Sequence, residues 1–382
     1  MVATNKKRIL IFSVGYVPFI GGAEIAVKEI TDRLVERGYE FEMITLNLDG
    51  RQRAEETLGA IRIHRLGGRG YFYKLMYPFA ALYLARKLHR TQLFVATWSI
   101  MASFSGFAAI FFKIFYPKVP FILTLQEGDP LSRPKRRAAI VWPFFVQIFR
   151  QADRIQAISS YLGKFAKDMG ARAPVVVIPN GVDLKNFSAP VAEATLYNIR
   201  QHLPVVTTRL ITISRLVEKN AVENIIDALV LLPETVGLYI LGTGPLEKKL
   251  REKVAALKLS TRVFFAGHIA YRELPTWLAA SDIFIRPSLS EGMGNAFIEA
   301  MAAGVPVIGT PVGGIPDFLR DGETGLFCKP KNPESIAMAV KKIVDDSVLR
   351  EKLIVNGKKL AARYDWQTIA DAIERQVFDI LR

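Results

Sequence analysis

The 382-residue chain is poor in the residues that build disulfide or metal scaffolds: it has one cysteine, Cys328, and four scattered histidines, His64, His89, His202 and His268. One thiol closes no internal disulfide and makes no thiolate zinc site, and dispersed imidazoles form no metal cluster, so the sequence points to a reducing compartment. It also lacks any Asp-x-Asp sequence, internal repeat or low-complexity tract. The first apolar run, RILIFSV, begins at Arg8 behind a short polar segment and reads as a buried strand, so no secretory signal is expected. Acidic residues are missing between Thr57 and Gln126, where Arg62, Arg65, Arg69, Lys74, Arg86, Lys87, Arg90, Lys113 and Lys118 are interleaved with aromatics. Such a stretch calls for an anionic neighbour or for solvent.

What is present suffices for large cores. Half of the residues (50%) are hydrophobic and 23% are charged, which excludes a disordered chain, and the length suits two domains. The net charge of +15 is uneven: residues 1–190 carry +13 and the remainder +2. No helix-turn-helix or RNA-binding signature accompanies the basic half, so nucleic acid is not the expected partner. The most apolar stretch, Phe94 to Phe112, approaches the ~20 residues needed to cross a bilayer. It carries Thr97, Ser99, Ser103, Ser105 and Gly106, and is read as a buried helix of an α/β domain.

Apolar, β-rich runs alternate with amphipathic helical stretches. RILIFSV, YEFEMITLN, IRIHRL, LFVATW, PFILTLQ, RIQAISS and PVVVIPN form a first series. After a turn-prone connection over residues 186–204, RLITISR, GLYILGTG, RVFFAGHI, DIFIRPS and VPVIGTP form a second. Strands separated by helices give parallel sheets with right-handed crossovers. The expected fold class is therefore α/β, with two Rossmann-like domains facing a central cleft, the first over 1–186 and the second over 187–365. Ile369, Ile373, Val377 and Ile380 recur at helical spacing and predict a packed C-terminal helix within 366–382.

Several turns could carry chemistry. Gly21 and Gly22 stand where the loop after the first strand enters a helix, and free N–H groups there attract phosphate, although a tight turn needs glycines as well. Gly242 and Gly244 open a dinucleotide fingerprint whose third glycine is Glu247, so a nicotinamide site is not supported and a structural turn, or an adjacent ligand, remains. The most informative block runs from Ser281 to Leu319: Glu291, then Gly292, Met293, Gly294 and Asn295, then a short helix, AFIEAMAAG, carrying Glu299. N–H groups at such a helix start can bind an anion or sugar hydroxyls, and a carboxylate one or two turns on can accept the vicinal hydroxyls of a ribose. Glu299 lies among Phe297, Ile298, Ala300 and Met301, and a buried carboxylate needs a partner. Arg215 and Lys219 directly follow a strand, at the end where α/β sheets hold ligands, and two cations there would neutralise a diphosphate leaving group.

Together these residues resemble the retaining glycosyltransferases of family four, of GT-B fold. The resemblance is carried by GGAE at Gly21 to Glu24, PNGVD at Pro179 to Asp183 followed by Phe187, SRLVEK at Ser214 to Lys219, LGTGP at Leu241 to Pro245, and EGMGNAFIEAMAAGVPV at Glu291 to Val307. The last contains the family's Glu-x7-Glu motif. The resemblance implies a UDP- or GDP-linked sugar donor held mainly by the second domain. Glu299 would take the ribose, Glu291 with the backbone of Gly292, Met293, Gly294 and Asn295 the sugar, and Arg215 and Lys219 the diphosphate. Gly244 would also lie on the donor side, with Gly22 closing from the first domain. A glycan or lipid-linked acceptor is implied on the first domain, with the segment 366–382 crossing back onto it. No metal and no cofactor beyond the donor are implied, and transfer would retain configuration as the departing phosphate helps deprotonate the acceptor. Five cations and no acid over Ser132 to Arg150 add to the basic first half, so the expected location is cytoplasmic, peripheral to an anionic inner membrane face.

The sequence departs from the family twice. Where many relatives have His-Gly after the fifth strand, TLQEGDP at Thr124 to Pro130 places Gln126, which can orient a hydroxyl but cannot titrate. Glu127 and Asp129 are then the acceptor-loop candidates, with capping of the loop as their structural alternative. Asn220 stands where relatives commonly place a diphosphate-binding lysine, and Ala221 where they have glycine, which leaves Lys219 one position early. These departures keep a second function open, a catalytically inactive glycosyltransferase-like protein that binds a nucleotide or glycan. An epimerase or a phosphorylase of similar fold would need an acid–base set or a cofactor lysine that the sequence does not offer.

Overall fold

A computed structural model describes residues 6–18, 21–68, 70–129, 142–203 and 206–381. The chain divides into two units, Met1–Gly181 with Trp366–Arg382, and Val182–Asp365. The first boundary falls ahead of residue 186 because the Leu184–Phe187 turn belongs to the second unit. Asp183 caps it by accepting from the Asn186 N–H at 3.1 Å, and Phe187 packs on Tyr271 with ring centroids 5.5 Å apart.

In the first unit, eight strands form one sheet: β1 (Lys7–Phe12), β2 (Tyr39–Leu46), β3 (Glu55–Leu58), β4 (Ile61–Leu66), β5 (Ala96–Ile100), β6 (Phe121–Leu125), β7 (Arg154–Ala157) and β8 (Val175–Val177). Their order is β3-β4-β2-β1-β5-β6-β7-β8, parallel except for β3 against β4. β5 and β6 are buried at every residue, as parallel strands covered on both faces must be. β3 (EETL) has no apolar alternation and is held instead by ion pairs, Arg65 with Glu56 and Arg62 with Glu55.

The apolar stretch from Phe94 to Phe112 is not a single helix. It divides into β5, a turn in which Met101 takes a φ of 68°, and a helix over Phe104–Phe115. Its polar residues are satisfied locally: Ser105 Oγ donates to the Ile100 carbonyl at 2.8 Å, and the Thr97 hydroxyl to that of Pro120 at 3.3 Å. Among the described residues no helix is long and apolar enough to cross a membrane. The C-terminal helix, Trp366–Gln376, buries Ile369 and Ile373 in the first unit's core, while Val377 and Phe378 follow them just beyond its end. Arg37 pairs with Glu374 at 2.6 Å and Arg154 with Asp379 at 2.9 Å.

In the second unit, β9 (Thr208–Ile213), β10 (Val236–Leu241), β11 (Val263–Gly267), β12 (Ile283–Arg286), β13 (Val307–Gly309) and β14 (Leu326–Phe327) make a sheet in the order β11-β10-β9-β12-β13-β14. Every pair is parallel. The chain runs outward from β9 to β11 and then returns to lay β12 on the other side of β9, so a topological switch point opens beyond the carboxyl ends of β9 and β12. The first unit has the equivalent point between β1 and β5.

Candidate active site

At the switch point of the second unit, β9 leads into Ser214–Asn220 and β12 into Pro287–Gly294. The main chain joins the two loops, with the Leu289 N–H donating to the Lys219 carbonyl at 2.6 Å. Asn220 is 2% exposed. Its Nδ2 donates to the Arg215 carbonyl at 2.7 Å, folding the loop on itself, and its Oδ1 accepts from Arg286 Nη2 at 3.4 Å. The next residue, Ala221, takes the left-handed conformation with φ 49°, which glycine adopts without steric cost. Arg215 is exposed and Lys219 half-buried.

The Gly242–Gly244 turn lies directly on this loop. A β-carbon on Gly242 would stand 2.0 Å from the Ser214 carbonyl oxygen, and one on Gly244 2.4 Å from that of Leu216. Backbone-on-backbone packing thus accounts for both glycines, and Gly244 reaches the site through the Arg215 loop it supports.

Glu291 is seated by the Gly313–Gly314 turn. Its carbonyl accepts from the Gly314 N–H at 3.1 Å, and a β-carbon on Gly313 would lie 1.8 Å from the same oxygen. Its nearly buried carboxylate pairs with Arg286, Nη2 to Oε2 at 2.7 Å. Gly292 and Met293 are buried in the turn that follows. Gly294, with φ 94°, starts the Asn295–Ala302 helix, and a β-carbon there would meet Phe297 at 2.9 Å and Glu291 at 3.3 Å.

Glu299 lies in the second turn of that helix and is 6% exposed. Burial pushes its carboxyl up to about 7, while the phenol of Tyr271 and the positive charge of Arg286 pull it back. These two are the partners a buried carboxylate requires. Neither stands out in the sequence: Tyr271 comes from a separate turn, Tyr271–Glu273, and the one signal for Arg286 is a cation closing the otherwise apolar run IFIR. Ser214 Oγ, Ser288 Oγ and Arg286 Nε, at the ends of β9 and β12, are buried without a hydrogen-bond partner. Buried polar atoms are ordinarily paired, so these fit a polar ligand.

In the first unit, the Glu24 carboxylate of GGAE accepts from the Gly21 N–H at 2.9 Å, capping the Gly22–Leu34 helix; Gly22 is exposed in its first turn. Gln126 Oε1 accepts from Asn180 Nδ2 of PNGVD at 3.1 Å. Glu127 Oε1 accepts from the Ala102 N–H, beyond β5, at 2.6 Å. Its Oε2 is buried without a hydrogen-bond partner, and burial raises its carboxyl above the ordinary range. Asp129 is the last described residue ahead of 130–141. Pro130, Arg69 and the basic cluster Arg133, Lys135, Arg136 and Arg137 lie outside the described residues. Among the described residues no group of three or more His, Cys, Asp or Glu is placed to hold a metal ion.

The family model for "Glycosyltransferase Family 4" matches residues 20–186 and that for "Glycosyl transferases group 1" residues 199–360. The lipopolysaccharide core biosynthesis glycosyltransferase LpsE of Rhizobium meliloti is 27% identical over 92% of this chain and 94% of its own. Sucrose-phosphate synthase from Thermosynechococcus elongatus superposes with a TM-score of 0.85 at 22% identity, over 98% of this chain and 100% of that one. HepE from Anabaena, solved with UDP-glucose, gives 0.79 at 20% identity, over 97% and 99%. The structural likenesses carry the fold, two parallel α/β units of the GT-B kind.

Proposed function

The chain belongs to the glycosyltransferases, with a family 4 domain followed by a group 1 domain, and on that premise we propose that it moves a hexose from a nucleoside-diphosphate sugar to a lipid-linked or polysaccharide acceptor. Transfer proceeds with retention, without a metal, at the cytoplasmic face of a membrane. The observation that carries the reading is Glu299, a carboxylate held 6% exposed in the second turn of a helix at a switch point, under the charge of Arg286, which pairs with Glu291 and has a buried Nε without a hydrogen-bond partner.

Glu299 accepts the two ribose hydroxyls, and Glu291 with the Gly292–Asn295 backbone orients the sugar. Arg215 and Lys219 face the diphosphate, where charge develops as the anomeric C–O bond breaks and the phosphate oxygen leaves with the electron pair. The acceptor oxygen bonds to the anomeric carbon from the same face, and its proton passes to the departing phosphate oxygen. Fixed cations and the N–H groups at the start of the Asn295–Ala302 helix supply the stabilisation a divalent ion would otherwise give. HepE, solved with UDP-glucose, supports the donor class, and LpsE, named for lipopolysaccharide core biosynthesis, supports the acceptor class. Gln126, Glu127 and Asp129 form the acceptor loop.

Membrane association is supported by the Tyr71–Thr91 helix, which exposes Tyr71, Phe72, Leu75, Phe79 and Tyr83 within the acid-free stretch. Aromatics and cations together suit an anionic interface. The test is transfer of label from a panel of radiolabelled nucleotide sugars into membrane extract. Binding of a nucleotide with no transfer from any donor would favour a non-catalytic binding protein.

A further inference from the structure

Arg286 belongs to no sequence motif, yet it stands among the groups of the donor site. It ends β12, beside β9, with its side chain 13% exposed. Nη2 lies 2.7 Å from Glu291 Oε2 and 3.4 Å from Asn220 Oδ1, and Nε is buried with no partner. A guanidinium stays charged when desolvated and offers five donors in a planar fork, so one carboxylate and one amide leave donor capacity unused. Asn220, at the position where the family resemblance places a lysine, turns its amide inward to the Arg215 carbonyl and contributes no charge.

We propose that Arg286 is a diphosphate-binding residue: the cation missing at position 220 is supplied from the end of the neighbouring strand, and Asn220 is the neutral amide that holds the guanidinium there. This rests on the nucleotide-sugar reading above. The fork gives two parallel contacts to phosphate oxygens, which a lysine ammonium cannot. A residue that only oriented Glu291 would behave differently, because Glu291 serves the transferred hexose, which a free nucleoside diphosphate lacks.

The test is calorimetric titration of the full chain with UDP and GDP, and with uridine and guanosine. R286Q is expected to lose about tenfold to hundredfold in affinity for whichever diphosphate the wild type binds, with nucleoside affinity unchanged. Adding N220K to R286Q is expected to recover most of the loss. Diphosphate affinity within about twofold of wild type in R286Q, or an equal loss for the nucleoside, would overturn the proposal. Should R286Q fail to fold, R286K, which keeps the charge but not the fork, is expected to show a smaller loss confined to the diphosphate, and unchanged affinity would overturn it. A wild type that binds neither UDP nor GDP would instead bring down the nucleotide-sugar reading itself.

Discussion

The phenol of Tyr271 favours the charged form of the Glu299 carboxylate, so the buried acid of the Asn295–Ala302 helix takes support from a turn 28 residues earlier in the chain. The phenol works against the effect of burial, yet the carboxyl is still pushed up to about 7. An acid that takes up its proton near neutrality couples ligand binding to pH.

A first prediction follows from the sign of that shift. The folded value of about 7 lies above the ordinary 4.5, so the folded state is favoured while Glu299 is protonated. That contribution is full below about pH 4.5 and is lost as pH rises through about 7. Relative to Glu299→Gln, the wild type should lose on the order of 3 kcal/mol of stability across this window, read by thermal unfolding at several pH values. Nucleotide affinity should run the other way, tightening as the carboxylate forms, with no such step in Glu299→Gln. Tyr271→Phe should move the midpoint to higher pH, because it removes a hydroxyl that favours the charged form.

Ala221 sits at φ 49°, a conformation that disfavours a β-carbon by roughly 1–2 kcal/mol. Ala221→Gly should raise stability by up to about 1 kcal/mol, after the extra freedom of glycine in the unfolded chain is offset. Urea unfolding measures it, and a destabilised variant would show that the turn is not under strain.

The two parallel sheets were legible because strands buried along most of their length read as continuous apolar runs, as in RILIFSV and GLYILGTG. β3 was not, because EETL is an edge strand held by charges, and β14 was not, because it has two residues. Within the Phe94–Phe112 run the strand begun in LFVATW was legible, but the turn and the start of the helix were not, because hydropathy is uniform across all three and the break rests on the backbone at Met101. In the site, local sequence exposed Glu291, Glu299 and their glycines. Arg286 and Tyr271 come close only through the pairing of β12 with β9 and the placement of a distant turn, which no spacing in the sequence encodes.

The exposed face of the Tyr71–Thr91 helix leads to a membrane prediction. Phe72→Ser with Phe79→Ser should reduce co-sedimentation with anionic vesicles, as should Lys74→Glu, each basic side chain being worth about 1 kcal/mol near such a surface. Wild-type binding should fall at high salt. Equal binding to neutral vesicles, or none to either kind, would contradict the assignment.

Chelation tests the charge stabilisation assigned to the protein's own groups. Turnover in excess EDTA should match turnover in magnesium if, as proposed, Arg215, Lys219 and helix N–H groups take the place of a divalent ion. Activity abolished by EDTA and restored by magnesium would place a metal in the reaction.

The most direct measurement is transfer of radiolabelled sugar from a nucleotide-sugar panel into membrane extract by wild type, Glu299→Ala and Glu291→Ala, with UDP and GDP affinities measured in parallel. Glu299→Ala should weaken nucleotide binding by about a hundredfold, two hydrogen bonds to a charged acceptor being lost, and nearly abolish transfer. Glu291→Ala should cut turnover with little effect on binding of the free nucleotide. Wild-type turnover in both variants would contradict the assignment of these carboxylates to the donor.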